Sequence, residues 1–264
     1  MDAIEKMKAA AREGWSSFAP FEMMTASTAP DLVRVAGIGA GDEVLDVGCG
    51  TGVAAITAAR RGAKVTGADL TPALLERARV NAELAGFEID FFEADVEAMP
   101  FDDARYDVVI SQFGHMFGPR PDVTLDEMLR VLKPGGTIAF STWPPELSPG
   151  LMFALVGKYS PPPPPGTQPP TLWGEPTVIR ERFTGKVDDV VFDRGCMRFP
   201  TLSPAHARLF LETNAGPVSR LVEALSGEPQ RLQAFRAEFD AIIQRYFADN
   251  IVRQDFLITR GRKI

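Results

Sequence analysis

Three aspartates and one glycine turn carry the chemistry of this sequence. Asp46 stands two residues before the turn Gly48-Cys49-Gly50-Thr51-Gly52, Asp69 follows 23 residues later, and Asp95 closes the next strand-like run. Glycines at alternate positions let the backbone turn sharply and let a ligand approach with no Cβ in the way. The alanine-rich segment behind them, Val53 to Arg61, reads as a helix whose free amides face the same ligand. The G-x-G-x-G spacing is not the G-x-G-x-x-G of dinucleotide sites, and the turn lacks the Lys-Ser/Thr ending of a phosphate loop. A carboxylate at Asp46 would repel a pyrophosphate but suits an ammonium or sulfonium group. Asp69 is placed as the acids that accept the hydroxyl hydrogens of a ribose, and Asp95 to receive an adenine amino group. Taken singly, each aspartate has the alternative of a helix cap or a solvated loop residue, and for Asp95 alone that reading is as good as the other. Three acids after three successive strands, beside one glycine turn, describe a nucleoside site with a positively charged neighbour.

The reacting end of such a site falls after the next two strands. In Phe113-Gly114-His115-Met116-Phe117, His115 is the one group able to take a proton near neutral pH. The bland alternative is a histidine that hydrogen-bonds backbone in a packed loop. Phe113, Phe117, Trp143 and Trp173 are candidates for an aromatic pocket, or else plain core.

The elements that must position these groups alternate in type. Glu43–Val47, Ala63–Ala68, Glu88–Glu93, Tyr106–Ser111 and Thr137–Trp143 read as strands. Helices lie between them, one opened by Thr71 as N-cap with Pro72 at the first helical position. Another, Asp122–Leu132, is stopped by Lys133-Pro134-Gly135-Gly136. Such alternation predicts right-handed crossovers and an α/β, doubly wound, mostly parallel sheet. Beyond Trp143 the prolines of 161–165 and 169–170 read as a stiff loop framing one wall of a pocket. A sixth strand follows at Val187–Arg194. Three helices come next, from Pro204 (capped by Ser203), over Val218–Leu225 and over Pro229–Ala248, then a last strand at Gln254–Arg260. These helices read as a cap inserted between strands. The organisation expected is a helical lid at 1–35, a nucleoside-binding core at 36–145, proline-rich loop, sixth strand and cap at 146–250, and a closing strand at 251–264.

Composition narrows the partners. With 45% hydrophobic and 24% charged residues, the 264-residue chain suits one domain carrying an insertion. A net charge of −7 argues against nucleic acid, which needs a concentrated basic surface; the only basic cluster is Arg260–Lys263. Two cysteines and two histidines are too few for a disulfide framework or a zinc site, so no metal is expected. The first 15 residues read as a mixed-charge amphipathic helix, not a signal peptide, and no apolar run reaches the roughly 18 residues of a membrane span. A soluble, cytoplasmic monomer or homodimer is the expectation.

The segments Val44–Gly52, Val65–Leu70, Glu93–Pro100, Tyr106–Gln112 and Leu129–Gly136 together resemble the class I S-adenosylmethionine-dependent methyltransferases, nearest the ubiquinone and menaquinone biosynthesis group (methyltransferase domain types 11 and 25). The likeness covers over a third of the chain, and Pro161–Gly174 is similar to a subgroup of bacterial and archaeal members. The resemblance implies a seven-stranded Rossmann-like sheet with its last strand antiparallel, S-adenosylmethionine as cofactor, and a small-molecule methyl acceptor. It would set Asp46, Gly48, Cys49 and Gly50 around the methionine part, Asp69 and Leu70 at the ribose and adenine, and Asp95 and Val96 at the adenine edge. Ser111 and Gln112 would close the floor near the sulfonium, and Trp15, Ser16 and Phe18 would fold over the cofactor. An NAD-dependent oxidoreductase is disfavoured by the glycine spacing and by Asp46. A nucleic-acid methyltransferase would carry an Asn-Pro-Pro-Tyr-like or Pro-Cys motif where Ser111-Gln112-Phe113-Gly114 stand. A non-catalytic sensor or scaffold that keeps the cofactor fold stays open at this point.

Overall fold

In a computed structural model that describes residues 2–264, the apolar runs of the first half become a parallel sheet. Its strands are β1 (Glu43–Val47), β2 (Lys64–Asp69), β3 (Asp90–Glu93), β4 (Tyr106–Gln112) and β5 (Leu132–Thr142). Val44, Leu45, Val47, Val109 and Ile110 are all buried, as strands covered on both faces require. The second half adds β6 (Val187–Pro200), β7 (Phe247–Ala248) and β8 (Ile251–Lys263). The order is β3-β2-β1-β4-β5-β8-β6, with β8 antiparallel to both β5 and β6. Strand order reverses between β1 and β4, which run parallel, and this opens a crevice at their carboxyl ends where ligands of doubly wound folds bind.

The helices are α1 (Ala3–Trp15), α2 (Glu22–Ala26), α3 (Ala29–Ala36), α4 (Val53–Ala59), α5 (Pro72–Ala85), α6 (Pro121–Val131), α7 (Ser148–Tyr159), α8 (Pro176–Phe183), α9 (Pro204–Asn214), α10 (Gly216–Ala224) and α11 (Pro229–Tyr246). Helices α9 to α11 stand between β6 and β8, and α1 has no fully buried residue. One stripe of α1 (Met7, Lys8, Ala11, Trp15) instead faces the crevice, at the spacing that shares a helix face.

Several expectations change. The sheet has eight strands, not seven, because Asp249 and Asn250 both take positive φ (49° and 60°) and turn the chain tightly, as in a two-residue hairpin. The short β7 pairs with β8 alone and lets β8 begin three residues before Gln254. Strand β6 runs on to Pro200 because β8 pairs with it along its length. Thr71 makes no side-chain cap; its amide donates to Asp69 Oδ1 at 2.8 Å. The proline-broken stretch after Trp143 contains α7 and α8, each with its proline in the first helical turn, where the missing N–H costs nothing. The run 161–165 walls no part of the main cavity; only Pro161 touches a separate depression beside Tyr159 and Arg220.

Candidate active site

The glycine turn is held by its neighbours, not by itself. Gly48, Gly50 and Gly52 all have positive φ (64°, 52° and 80°), a region that side chains with a Cβ disfavour. Gly48 packs backbone to backbone against Gly114, so that a Cβ on Gly114 would lie 2.4 Å from the Gly48 oxygen. Ser111 fixes this contact: its Oγ donates to the Val47 carbonyl at 2.6 Å and accepts from the His115 amide at 2.9 Å. Asp69 ties the turn to the end of β2, accepting from the Gly50 amide at 2.8 Å on one oxygen and from Thr71 on the other.

Above this floor lies a cavity of about 210 Å³. One end is lined by Gly48, Gly50, Asp69, Leu70, Asp95 and Val96. The other is lined by Gln112, Phe113, Phe117 and Trp143, joined by Phe153 and Gln254. Phe113 itself has a positive φ (64°), a strained conformation for a bulky residue, and this lays its ring on Trp143 at 4.0 Å with the planes 4° apart. The roof is aromatic. Trp15 meets Phe18 at 5.5 Å and Phe117 at 4.7 Å, and Phe18 stacks on Phe21 at 4.6 Å. Ion pairs fasten α1 down: Lys8 to Asp95 and to the buried Glu97, both at 2.5 Å, and Arg12 to Glu93 at 2.7 Å. Arg120 holds Glu97 from the other side at 2.8 Å.

Of the residues singled out in the sequence, the structure brings Trp15, Phe18, Gly48, Gly50, Asp69, Leu70, Asp95, Val96, Gln112, Phe113, Phe117 and Trp143 to this one cavity. Six do not line it. Ser16 is exposed, its Oγ donating to the Glu13 carbonyl at 2.6 Å. Asp46 is buried beneath the turn, Cys49 points inward at Gly67, and Ser111 is consumed as the staple described above. Trp173 and His115 pack behind the wall, His115 with its ring centroid 4.4 Å from that of Phe140 and 4.6 Å from that of Trp173. Neither ring nitrogen of His115 has a hydrogen-bond partner, and burial, aided by the Arg182 charge, pushes its pKa down to about 3. His115 thus lies outside the cavity where it was expected as a base, and its ring makes no backbone hydrogen bond either. Lys8, Phe21, Phe153 and Gln254 also line the cavity and were not foreseen from sequence, though the amphipathic spacing of α1 holds a signal for the first.

Burial pushes the Asp46 pKa up to about 8, opposed in part by the Ala55 amide in the first turn of α4. Burial also raises Asp69 against its two amide bonds, and raises the Cys49 thiol well above the reactive range. An acid whose folded pKa exceeds its unfolded value of about 4 contributes stability that is full below that value and is lost as pH rises through the folded pKa. The contribution of Asp46 to the melting temperature of the free chain is therefore expected to fall as pH rises from roughly 4 to 8. Asp46→Asn should flatten that slope and raise the Tm at pH 8 by about 2–4 °C or more, the shift per kcal/mol for a chain of this size. Thermal melts of both proteins across that range test this, and parallel curves would refute it.

Comparison with known proteins follows the same lines. Residues 44–136 match the family model described as "Methyltransferase domain". An uncharacterized protein of Mycobacterium bovis is 35% identical over 243 residues, covering 92% of this chain and 89% of its own length. Demethylmenaquinone methyltransferase of Thermus thermophilus is 41% identical over 115 residues, 43% of this chain and 51% of that enzyme. Among solved structures, the YcgJ protein from Bacillus subtilis superposes with a TM-score of 0.58 at 17% identity, covering 90% of this chain and 98% of that one. No helix among the described residues is long and apolar enough to cross a membrane, and no group of three or more His, Cys, Asp or Glu there is placed to hold a metal ion.

Proposed function

Because the chain belongs to the class I S-adenosylmethionine-dependent methyltransferases, we propose that it methylates a small, partly apolar molecule enclosed beneath α1. The observation that carries this reading is the division of one cavity into an acidic, glycine-floored end and an aromatic end. The residues present fit the cofactor: the backbone of Gly48 and Gly50 is open to it, and a nucleoside needs acceptors where Asp69 and Asp95 stand. When bound, the sulfonium supplies an activated methyl group together with its leaving group.

The chain's own contribution is positional. Gly48 and Gly50 seat the methionine part, Asp69 and Leu70 the ribose and adenine, and Asp95 and Val96 the adenine edge. Gln112 sits at the floor between the two ends, its Nε2 already donating to the Thr25 carbonyl at 2.9 Å and Thr28 Oγ1 at 2.8 Å. Trp15 and Phe18 exclude water, which aligns reactants and prevents hydrolysis. Asp46, Cys49 and Ser111 act through the turn they support. The −7 net charge favours a small molecule over a nucleic acid.

Calorimetric titration tests the reading. S-adenosylmethionine and S-adenosylhomocysteine are expected to bind and NAD is not; the absence of binding by both sulfur compounds would sink it. His115→Phe, which keeps an aromatic ring among Phe140 and Trp173, is expected to leave cofactor affinity and the pH profile of turnover unchanged. A lost pH limb in that variant would restore the histidine as a base.

A further inference from the structure

The acceptor end of the cavity is short of one kind of group. Among the described residues, the titratable side chains that line the cavity are Lys8, Asp69 and Asp95. All three are engaged and stand at the nucleoside end. Asp69 holds Gly50 and Thr71, while Asp95 accepts from the Glu97 amide at 2.9 Å and pairs with Lys8. At the other end the polar side chains are Thr25, Gln112 and Gln254, which can hydrogen-bond but cannot take a proton at ordinary pH. Several charged groups on the elements packed around that end are spent on one another. Glu212 of α9 is held by Arg208 and Arg236, Asp255 of β8 by Arg253, and Lys158 of α7 by Glu238. Arg220 of α10 abuts Gly14 of α1, and His115 and Arg182 lie behind the aromatic wall.

We propose that the acceptor is a compact apolar ring compound whose nucleophile is an acidic S–H or O–H group that arrives ionised, so that the chain supplies no general base. This rests on the methyltransferase reading above. The acceptor's proton goes to solvent before the site closes. Its sulfur or oxygen anion then forms the new bond to the methyl carbon as the carbon–sulfonium bond breaks, and the bonding pair stays on the cofactor sulfur, which becomes a neutral thioether. Opposite charges vanish in that displacement, and a low-dielectric enclosure favours such a step. A neutral amine would instead carry the sulfonium's positive charge over to nitrogen, as an ammonium with a surplus proton that no titratable side chain at that end of the cavity can receive.

The test uses the whole chain and three isosteric probes: 2-naphthalenethiol, 2-naphthol and 2-aminonaphthalene. Docking to the S-adenosylhomocysteine complex is read first, by quenching of the tryptophan fluorescence of Trp15 and Trp143. All three probes are expected to quench alike, because they share the apolar body. Methyl transfer from S-adenosylmethionine is read second. The thiol is expected to be methylated fastest at neutral pH. The ratio of kcat/KM for the naphthol to that for the thiol should rise about tenfold per pH unit above roughly pH 7, tracking the naphthol's own ionisation. A flat ratio would reveal a base in the protein, and an amine methylated as fast as the thiol would show that the surplus proton is handled; either overturns the proposal. So does failure of all three to dock or react while the cofactor still binds. Failure of the cofactor itself to bind would overturn the methyltransferase reading instead.

Discussion

Gly114→Ala is expected to abolish measurable binding of S-adenosylmethionine and to lower stability as well. The new Cβ would stand 2.4 Å from the Gly48 oxygen and 2.7 Å from its Cα. Those are backbone atoms with no rotamer to move aside, and Gly48 is itself pinned in the left-handed region at φ 64°. Either the loop 112–118 lifts off the end of β1 or the glycine turn shifts towards the space a ligand needs. Ser111, which links both segments, makes the first route costly. An overpacking penalty of about 1–3 kcal/mol in the free chain is expected. A misplacement of about 1 Å is enough to cost on the order of a hundredfold at a site that works by alignment. Calorimetry and thermal melts on the same preparation separate the two effects. Gly157→Ala serves as control, since a Cβ there meets nothing within 4 Å in a helix that should gain slightly from alanine. Full-affinity binding by Gly114→Ala would mean that the turn does not carry the cofactor.

Gly114 also marks the boundary of what was legible in the sequence. Glycine spacing, strand patterning and the acids after three strands describe local chain geometry, and local geometry is written in local residues. Asp69 and Asp95 accordingly line one cavity with Gly48 and Gly50. What remained hidden is set by contacts distant in sequence. Whether His115 faces a ligand depends on Phe140 and Trp173 filling the other side, and nothing in residues 113–117 announces that. Asp46 looked like a cavity residue by its nearness to the turn, yet strand alternation turns it beneath the floor. Gln254 reaches the site through the pairing of β8 with β5 and β6, which lie far from it in sequence. The chain after Trp143 hides α7 behind prolines that look like breakers and act as first-turn residues. Its Met152 and Phe153 build the wall that the proline run had been expected to build.

Asp69→Ala is expected to weaken S-adenosylmethionine and S-adenosylhomocysteine by the same factor, about 1–3 kcal/mol or roughly 5–150-fold. Equality is the informative part. Both compounds carry the ribose, but only one carries the sulfonium charge. A side chain that acts by accepting ribose hydroxyls cannot tell them apart, whereas one that acts through its charge would cost the sulfonium compound more. The free structure adds a second consequence. Asp69 already accepts from Gly50 and Thr71 at 2.8 Å each, so alanine leaves both amides without their acceptor and loosens the turn before any ligand arrives. Against that, burial disfavours the ionised carboxylate, and its removal relieves the cost. The melting temperature should therefore move less than the affinity does. Asp69→Asn keeps the shape and one carbonyl oxygen but must aim its amide at either Gly50 or Thr71, both donors, and it is expected to bind no better than alanine. If Asp69→Ala instead spares S-adenosylhomocysteine while weakening S-adenosylmethionine, the carboxylate belongs to the sulfonium, and the nucleoside must be held by other groups.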